Sequence, residues 1–191
     1  MSKAPSSGTT RLEERTAAAS GLGGRREVGD QAVWSLSSCK PGFGVDQLRD
    51  NNTETYWQSD GPQPHLVNIQ FRRKTLVDQL AIYTDFKLDE SYTPNRISVR
   101  VGSHFHDLQE LDVVELQEPS GWVTIPILQS NRQPIKTFFI QIAILSNHQN
   151  GRDTHLRQIK IHSPVRSAPV ACTGLGGIFS SDELLEMTHI R

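Results

Sequence analysis

Cysteine is scarce in this chain: only Cys39 and Cys172 occur in 191 residues. They lie far apart, so neither a disulfide framework nor a Cys-x-x-Cys zinc spacing is available, and a reducing compartment is favoured. Long apolar runs are missing too. No window approaches the roughly 18 consecutive apolar residues of a membrane-spanning helix, and the first residues show no apolar core of a secretory signal, so no membrane partner is expected. On that expectation Asn51-Asn52-Thr53 is a chance match to the glycosylation acceptor pattern. Charge of one sign is absent as a block. The formal net charge is −1, and without a basic stripe nucleic acid is not an expected partner. Neither a Gly-x-Ser-x-Gly elbow nor a Gly-x-x-x-x-Gly-Lys-[Ser/Thr] phosphate loop occurs, which removes two common enzyme signatures.

What the chain does have is apolar alternation at the strand period. Hydrophobic residues make up 36% and charged residues 21% of the chain, which suits one core diluted by polar ends. Residues 1–26, rich in Ser, Thr, Ala and Gly, read as a disordered arm. Residues 164–191 read as a tail in which Ser180 and Glu183 have capping-box spacing. Between them, residues 27–163 form one domain. Strands are expected over 32–37, 65–71, 76–83, 96–101, 108–116, 121–127, the Ile- and Phe-rich run leading to Leu145, and 156–161, with a single helical turn over 45–50. Arg72-Arg73-Lys74 reads as a solvated turn, and Pro126 places its strand at an edge or a bulge. Eight or nine short strands with almost no helical period predict an all-β sandwich or jelly roll. Such a frame gathers its loops at its ends, and three polar loops stand out: 38–64, 85–95 and 146–155.

The last of these carries the densest chemistry. Asn147-His-Gln-Asn-Gly-Arg-Asp-Thr-His155 sets amide, imidazole, guanidinium and carboxylate groups around one glycine, between two strands read as a hairpin. Asn147, Gln149 and Asn150 offer donors and acceptors, Arg152 a planar fork, and Asp153 an acceptor. Gly151 allows positive φ or the close approach of a ligand backbone. Tyr92 and Trp57 could add apolar faces and Ser91 a hydroxyl; for Trp57 a plain core role is at least as good a reading. His148, Asp153 and His155 could form an acid–base pair or metal site, but their spacing matches no zinc signature and His162 lies at the far end of the next strand. Spacing alone leaves two readings level: a turn satisfying its own backbone, and a site for an extended peptide or a sugar.

Residues 31–50, 55–60, 64–71 and 147–155, among them Thr55-Tyr-Trp-Gln-Ser-Asp60 and the Asn147-to-His155 run, closely resemble the Doc-homology family of anaphase-promoting complex subunits, the subunit often numbered ten. The resemblance spans about 27–163. It implies a jelly roll similar to galactose-binding domains and a non-catalytic role without cofactor or metal. It also implies that the chain works with a WD40 coactivator to receive destruction-box substrates, raises the processivity of ubiquitin transfer in cell-cycle control, and resides in nucleus and cytoplasm. Carried over residue by residue, the degron-facing positions are Asn147, His148, Asn150, Arg152, Asp153 and His155, with Ser91 and Tyr92 as neighbours. The terminal Ile190-Arg191 also matches the family. It implies docking on a tetratricopeptide-repeat scaffold subunit, beside the other subunits of the complex. The competing readings are an intracellular carbohydrate-binding module on the same fold and, more remotely, a hydrolase or metalloenzyme.

Overall fold

Alternation along the chain builds two antiparallel sheets packed face to face. The computed structural model describes residues 24–165; the expected N-terminal arm up to residue 23 and the tail from 166 on, with Ile190 and Arg191, lie outside the described residues. The strands are β1 (Arg25–Glu27), β2 (Ala32–Leu36), β3 (Trp57–Gln58), β4 (His65–Val77), β5 (Gln79–Asp85), β6 (Pro94–Gly102), β7 (Gln109–Glu115), β8 (Ser120–Pro126), β9 (Ile135–Asn147), β10 (His155–Leu156) and β11 (Gln158–Pro164). Two short helices, α1 (Val45–Arg49) and α2 (Phe86–Asp89), occupy loops. One sheet has the order β2-β4-β9-β6-β7, the other β1-β11-β5-β8, and β3 with β10 forms a small separate pair. The fold is an all-β jelly-roll sandwich.

The inward parity of each long strand supplies the core. In the five-stranded sheet Ile142 lies between Val67 of β4 and Val99 of β6, and all three are fully buried. Across from it, Leu80, Ile82, Ile125, Ile159 and Ile161 of the four-stranded sheet are equally buried. Each such side chain contributes about 1.5–3 kcal/mol by leaving water. Trp57 is also fully buried, and its indole N–H donates to the Ser38 carbonyl at 3.0 Å, so its role is in the core.

Four expectations change. The 146–155 loop is not a hairpin: β9 belongs to one sheet and β11 to the other, so the loop carries the chain across the sandwich. The apolar run 76–83 is two strands, because the chain changes sheets at Asp78. There Asp78 N–H donates to His162 O at 3.1 Å and its carbonyl accepts from Ile127 N–H at 2.8 Å. Arg72-Arg73-Lys74 lies within β4, at an irregularity between Gln70 and Thr75, rather than at a turn. Finally, β1 pairs with β11, so the sheet starts at Arg25 and ends at Pro164, slightly beyond the expected 27–163. Pro126 does close β8, an edge strand.

Ile142→Ala is expected to cost about 2–5 kcal/mol in urea unfolding, the cost of a cavity in a packed core. Val33→Ala, on an edge strand at 55% exposure, should stay within about 0.5 kcal/mol.

Candidate functional site

The three polar loops meet at the end of the sandwich where β4 begins and β9 ends. Their meeting point is a buried carboxylate. Asp89, the last residue of α2, is 5% exposed. Arg157, between β10 and β11, grips it with two hydrogen bonds: Nε to Oδ2 and Nη2 to Oδ1, both 2.9 Å. The His155 Nδ1–H donates to Oδ1 at 3.1 Å. Arg157 also donates through Nη1 to the Thr53 carbonyl at 2.8 Å, which ties in the 38–64 loop. Burial opposes ionisation of Asp89, but the hydrogen bonds from His155 and Arg157 and the Arg157 charge outweigh it and hold the carboxyl below the ordinary carboxylate range. The Asp89 hydrogen bond in turn raises the Arg157 guanidinium above its usual value.

Around this ion pair runs a stack of rings. His155 lies between Tyr56, at 4.2 Å between centroids, and Tyr92, at 4.3 Å and nearly parallel, while Phe43 stacks on the far side of Tyr56 at 5.1 Å. Tyr92 keeps 40% of its surface in solvent. Buried Gln158 anchors the preceding loop: its amide nitrogen lies 2.6–2.9 Å from the Gln47 carbonyl, an Asp50 carboxylate oxygen and the Asn52 carbonyl.

The 147–155 loop sits on this base in two layers. Its lower layer is internally committed. The Asn147 amide donates to the carbonyls of Gly151, at 3.2 Å, and Asp153, at 2.7 Å. Gln63 donates to the carbonyls of Gly151 and Arg152, and His65 Nε2–H donates to the latter at 2.7 Å. Thr154 exchanges hydrogen bonds with Ser59. Gly151 has an ordinary φ of −57°. A Cβ there would lie 1.8 Å from the Ser91 carbonyl oxygen. The close approach expected of a ligand is therefore made by the chain's own 91–92 turn. Positive φ falls instead on Gln149 (53°) and Asn150 (56°).

The upper layer is uncommitted. Gln149, Asn150 and Arg152 are exposed, and no described residue bonds their side chains. Asp153 is half-buried, with one carboxylate oxygen unpartnered. His148 is half-buried and packs edge-on against Phe86 at 4.9 Å. Of the eight positions assigned to the site, Asn150, Arg152, Asp153, Ser91 and Tyr92 come together on one rim beside His148. Asn147 and His155 lie below it at 5% and 9% exposure, with their side chains engaged in the frame. Both ring nitrogens of His155 are withdrawn from the rim, Nδ1 on Asp89 and Nε2 buried without a partner. No group of three or more His, Cys, Asp or Glu able to hold a metal occurs among the described residues.

Residues outside those eight complete the frame: Asp89, Arg157, Tyr56 and Gln63. One of them was signalled. Arg157 shares the parity of Ile159 and Ile161, and a charge on a core parity requires a buried partner.

Comparison with known proteins bears on the fold and the family. A family-32 carbohydrate-binding module of C. perfringens NanJ, solved with galactose, superposes with a TM-score of 0.61 over 73% of this chain and 99% of that one. At 12% identity the likeness speaks to the fold alone. The domain has the galactose-binding-domain-like β-sandwich fold. A family model described as anaphase-promoting complex, subunit 10 (APC10) matches residues 2–188. Proteins named anaphase-promoting complex subunit 10 are 63% identical in Mus musculus, over 88% of both chains, and 69% identical in Homo sapiens, over 76% of this chain and 78% of that one. The chain belongs to the anaphase-promoting complex subunit 10 family.

Removing one partner of a buried ion pair strands the other. Asp89→Ala should cost about 3–5 kcal/mol and loosen all three loops, seen as faster amide exchange at 147–155. Because the Asp89 carboxyl is lowered in the folded state, its contribution is complete above the unfolded value near ~4 and is lost as pH falls through the lower folded value. Asp89→Asn should therefore flatten the acid limb of stability against pH below about 4, measured by denaturant titration.

Proposed function

We infer that this chain is a non-catalytic, substrate-receiving subunit of the anaphase-promoting complex, a ubiquitin ligase of cell-cycle control. Membership of the subunit 10 family supports assembly with the other subunits of that complex. The observation that carries the receptor role is the layering of the 147–155 loop: a rim of unspent polar side chains over a frame that satisfies the loop's backbone carbonyls at Gly151, Arg152 and Asp153. A rim ordered before binding loses little entropy when a ligand arrives.

The ligand is the destruction-box degron, held jointly with a WD40 coactivator, and the consequence is more ubiquitin transferred per encounter. Arg152 and Asn150 supply a guanidinium fork and an amide to the degron's backbone and polar groups, and Asp153 supplies an acceptor. Tyr92 offers its free ring surface beside the Ser91 hydroxyl, with His148 at the rim. Asn147 and His155 act as positioning residues. Ile190 and Arg191 dock on a tetratricopeptide-repeat scaffold subunit, the apolar side chain as anchor and the guanidinium as polar end. The protein works in nucleus and cytoplasm. A carbohydrate-binding role rests on the fold likeness alone, and fold does not transfer function.

Asn150→Ala/Arg152→Ala/Asp153→Ala should fold and assemble normally, yet weaken degron binding at least tenfold, since hydrogen bonds to charged groups contribute about 1.5–3 kcal/mol each. The measurement is ubiquitins added per binding event with and without the degron; undiminished processivity, or galactose binding in place of degron binding, overturns the assignment. Deleting Ile190 and Arg191 should lower affinity for the scaffold subunit by at least about tenfold, or 1.4 kcal/mol, in a direct binding titration. Unchanged affinity removes the tail anchor.

A further inference from the structure

The end of the sandwich opposite the loops carries a groove of about 560 Å³ that the degron reading does not use. Leu76 and Val165 give it apolar lining, and Arg26, Arg73, Lys74 and Lys136 give it charge. No carboxylate lines it. All four cations are exposed, and none of them forms an ion pair among the described residues. The irregularity in β4 lies beside it: the ladder to β9 breaks between Gln70 and Thr75, which leaves Arg73 and Lys74 outside the regular pairing. Four like charges around an apolar groove repel one another until an anion arrives. The groove lies roughly 30 Å from the loop rim, judged by strand rise along β4.

The chain itself leaves the described region in this groove, at Val165, which is 49% exposed. Beyond it, residues 167–190 contain Asp182, Glu183 and Glu186 and no Lys or Arg. The acids flank Leu184-Leu185. The stretch 180–186, Ser-Ser-Asp-Glu-Leu-Leu-Glu, thus pairs acidic groups with apolar ones, matching a groove that pairs basic groups with an apolar lining. The N-terminal acids Glu13 and Glu14 sit between Arg11 and Arg15, which neutralise them locally. Reach is ample: about 17 residues separate Val165 from Asp182, enough to span at most roughly 60 Å.

We propose that the basic groove at Arg26, Arg73, Lys74 and Lys136 is the intramolecular docking site of the chain's own acidic segment, residues 180–186. Asp182, Glu183 and Glu186 meet the cations, and Leu184 and Leu185 meet Leu76 and Val165. Docking there starts residues 187–191 from the end of the domain opposite the loops, so the tail and the degron rim are held apart.

The test uses the full chain with Cys39→Ser, Cys172→Ser and Thr188→Cys, carrying a nitroxide at position 188. Amide signals of Thr75, Lys136 and Ser163 should lose at least about half their intensity at low salt and regain it near 1 M salt, where charges are screened beyond ~3 Å. Asp182→Lys/Glu183→Lys/Glu186→Lys should abolish the broadening, with unchanged amide dispersion over residues 24–165 as the control for the fold. Adding Arg73→Glu/Lys74→Glu/Lys136→Glu to that variant should restore it, with amide dispersion confirming the fold. Absence of broadening, broadening that survives reversal of the acids, or broadening that grows with protein concentration overturns the proposal, the last by assigning the groove to a second copy. Deleting Ile190 and Arg191 should leave the broadening in place, so failure of the tail anchor and failure of this contact are read separately.

Discussion

The carboxylate of Asp89, buried between Arg157 and His155, is where three loops of this domain are joined. The 85–95 loop supplies the acid, the crossing between β9 and β11 supplies both partners, and the 38–64 loop is held through the Thr53 carbonyl on Arg157. A charge taken out of water stays charged only if its partners replace the lost hydration. Here two guanidinium bonds and one imidazole bond do so. The arrangement satisfies itself only when all three loops are in place, so the loop end of the sandwich orders as one unit.

That unit separates support from recognition. Tyr56, His155 and Tyr92 stack over the ion pair, and Asn147, Gln63 and His65 absorb the carbonyls of Gly151, Arg152 and Asp153. With the backbone satisfied from below, the side chains of Asn150 and Arg152 have no internal duty. The same economy explains Gly151. Any side chain there would strike the Ser91 carbonyl, and the two adjacent loops could not close on each other.

Much of the frame was legible along the chain. Period-two alternation located the long strands, and of the edge or bulge that Pro126 allowed, the edge is what β8 occupies. The polar loop stood out by its chemistry, and the chain's resemblance to the subunit 10 family was confirmed at 63–69% identity in two mammalian relatives. Less was legible where an apolar run continues through a change of sheet. Leu76, Val77, Leu80 and Ile82 read as one strand, because nothing local marks Asp78 as the crossing; its bonds to His162 and Ile127 are long-range. Three-residue β1 is too short to show a period, and its membership in the sheet depends on β11.

The opposite fate of neighbouring residues shows where local reading ends. Residue type and alternation settle which groups stand in the 147–155 loop and which strands carry it, because both are properties of the chain over a few residues. They do not separate Asn147 and His155, which became support, from Asn150 and Arg152, which remained free. That division depends on Asp89, more than sixty residues earlier in the chain, and on Ser91, Gln63 and Tyr56 arriving from other loops. Burial and hydrogen-bond satisfaction are set by what packs against a residue, and in an antiparallel sandwich those neighbours are brought together by strand pairing across long stretches of sequence.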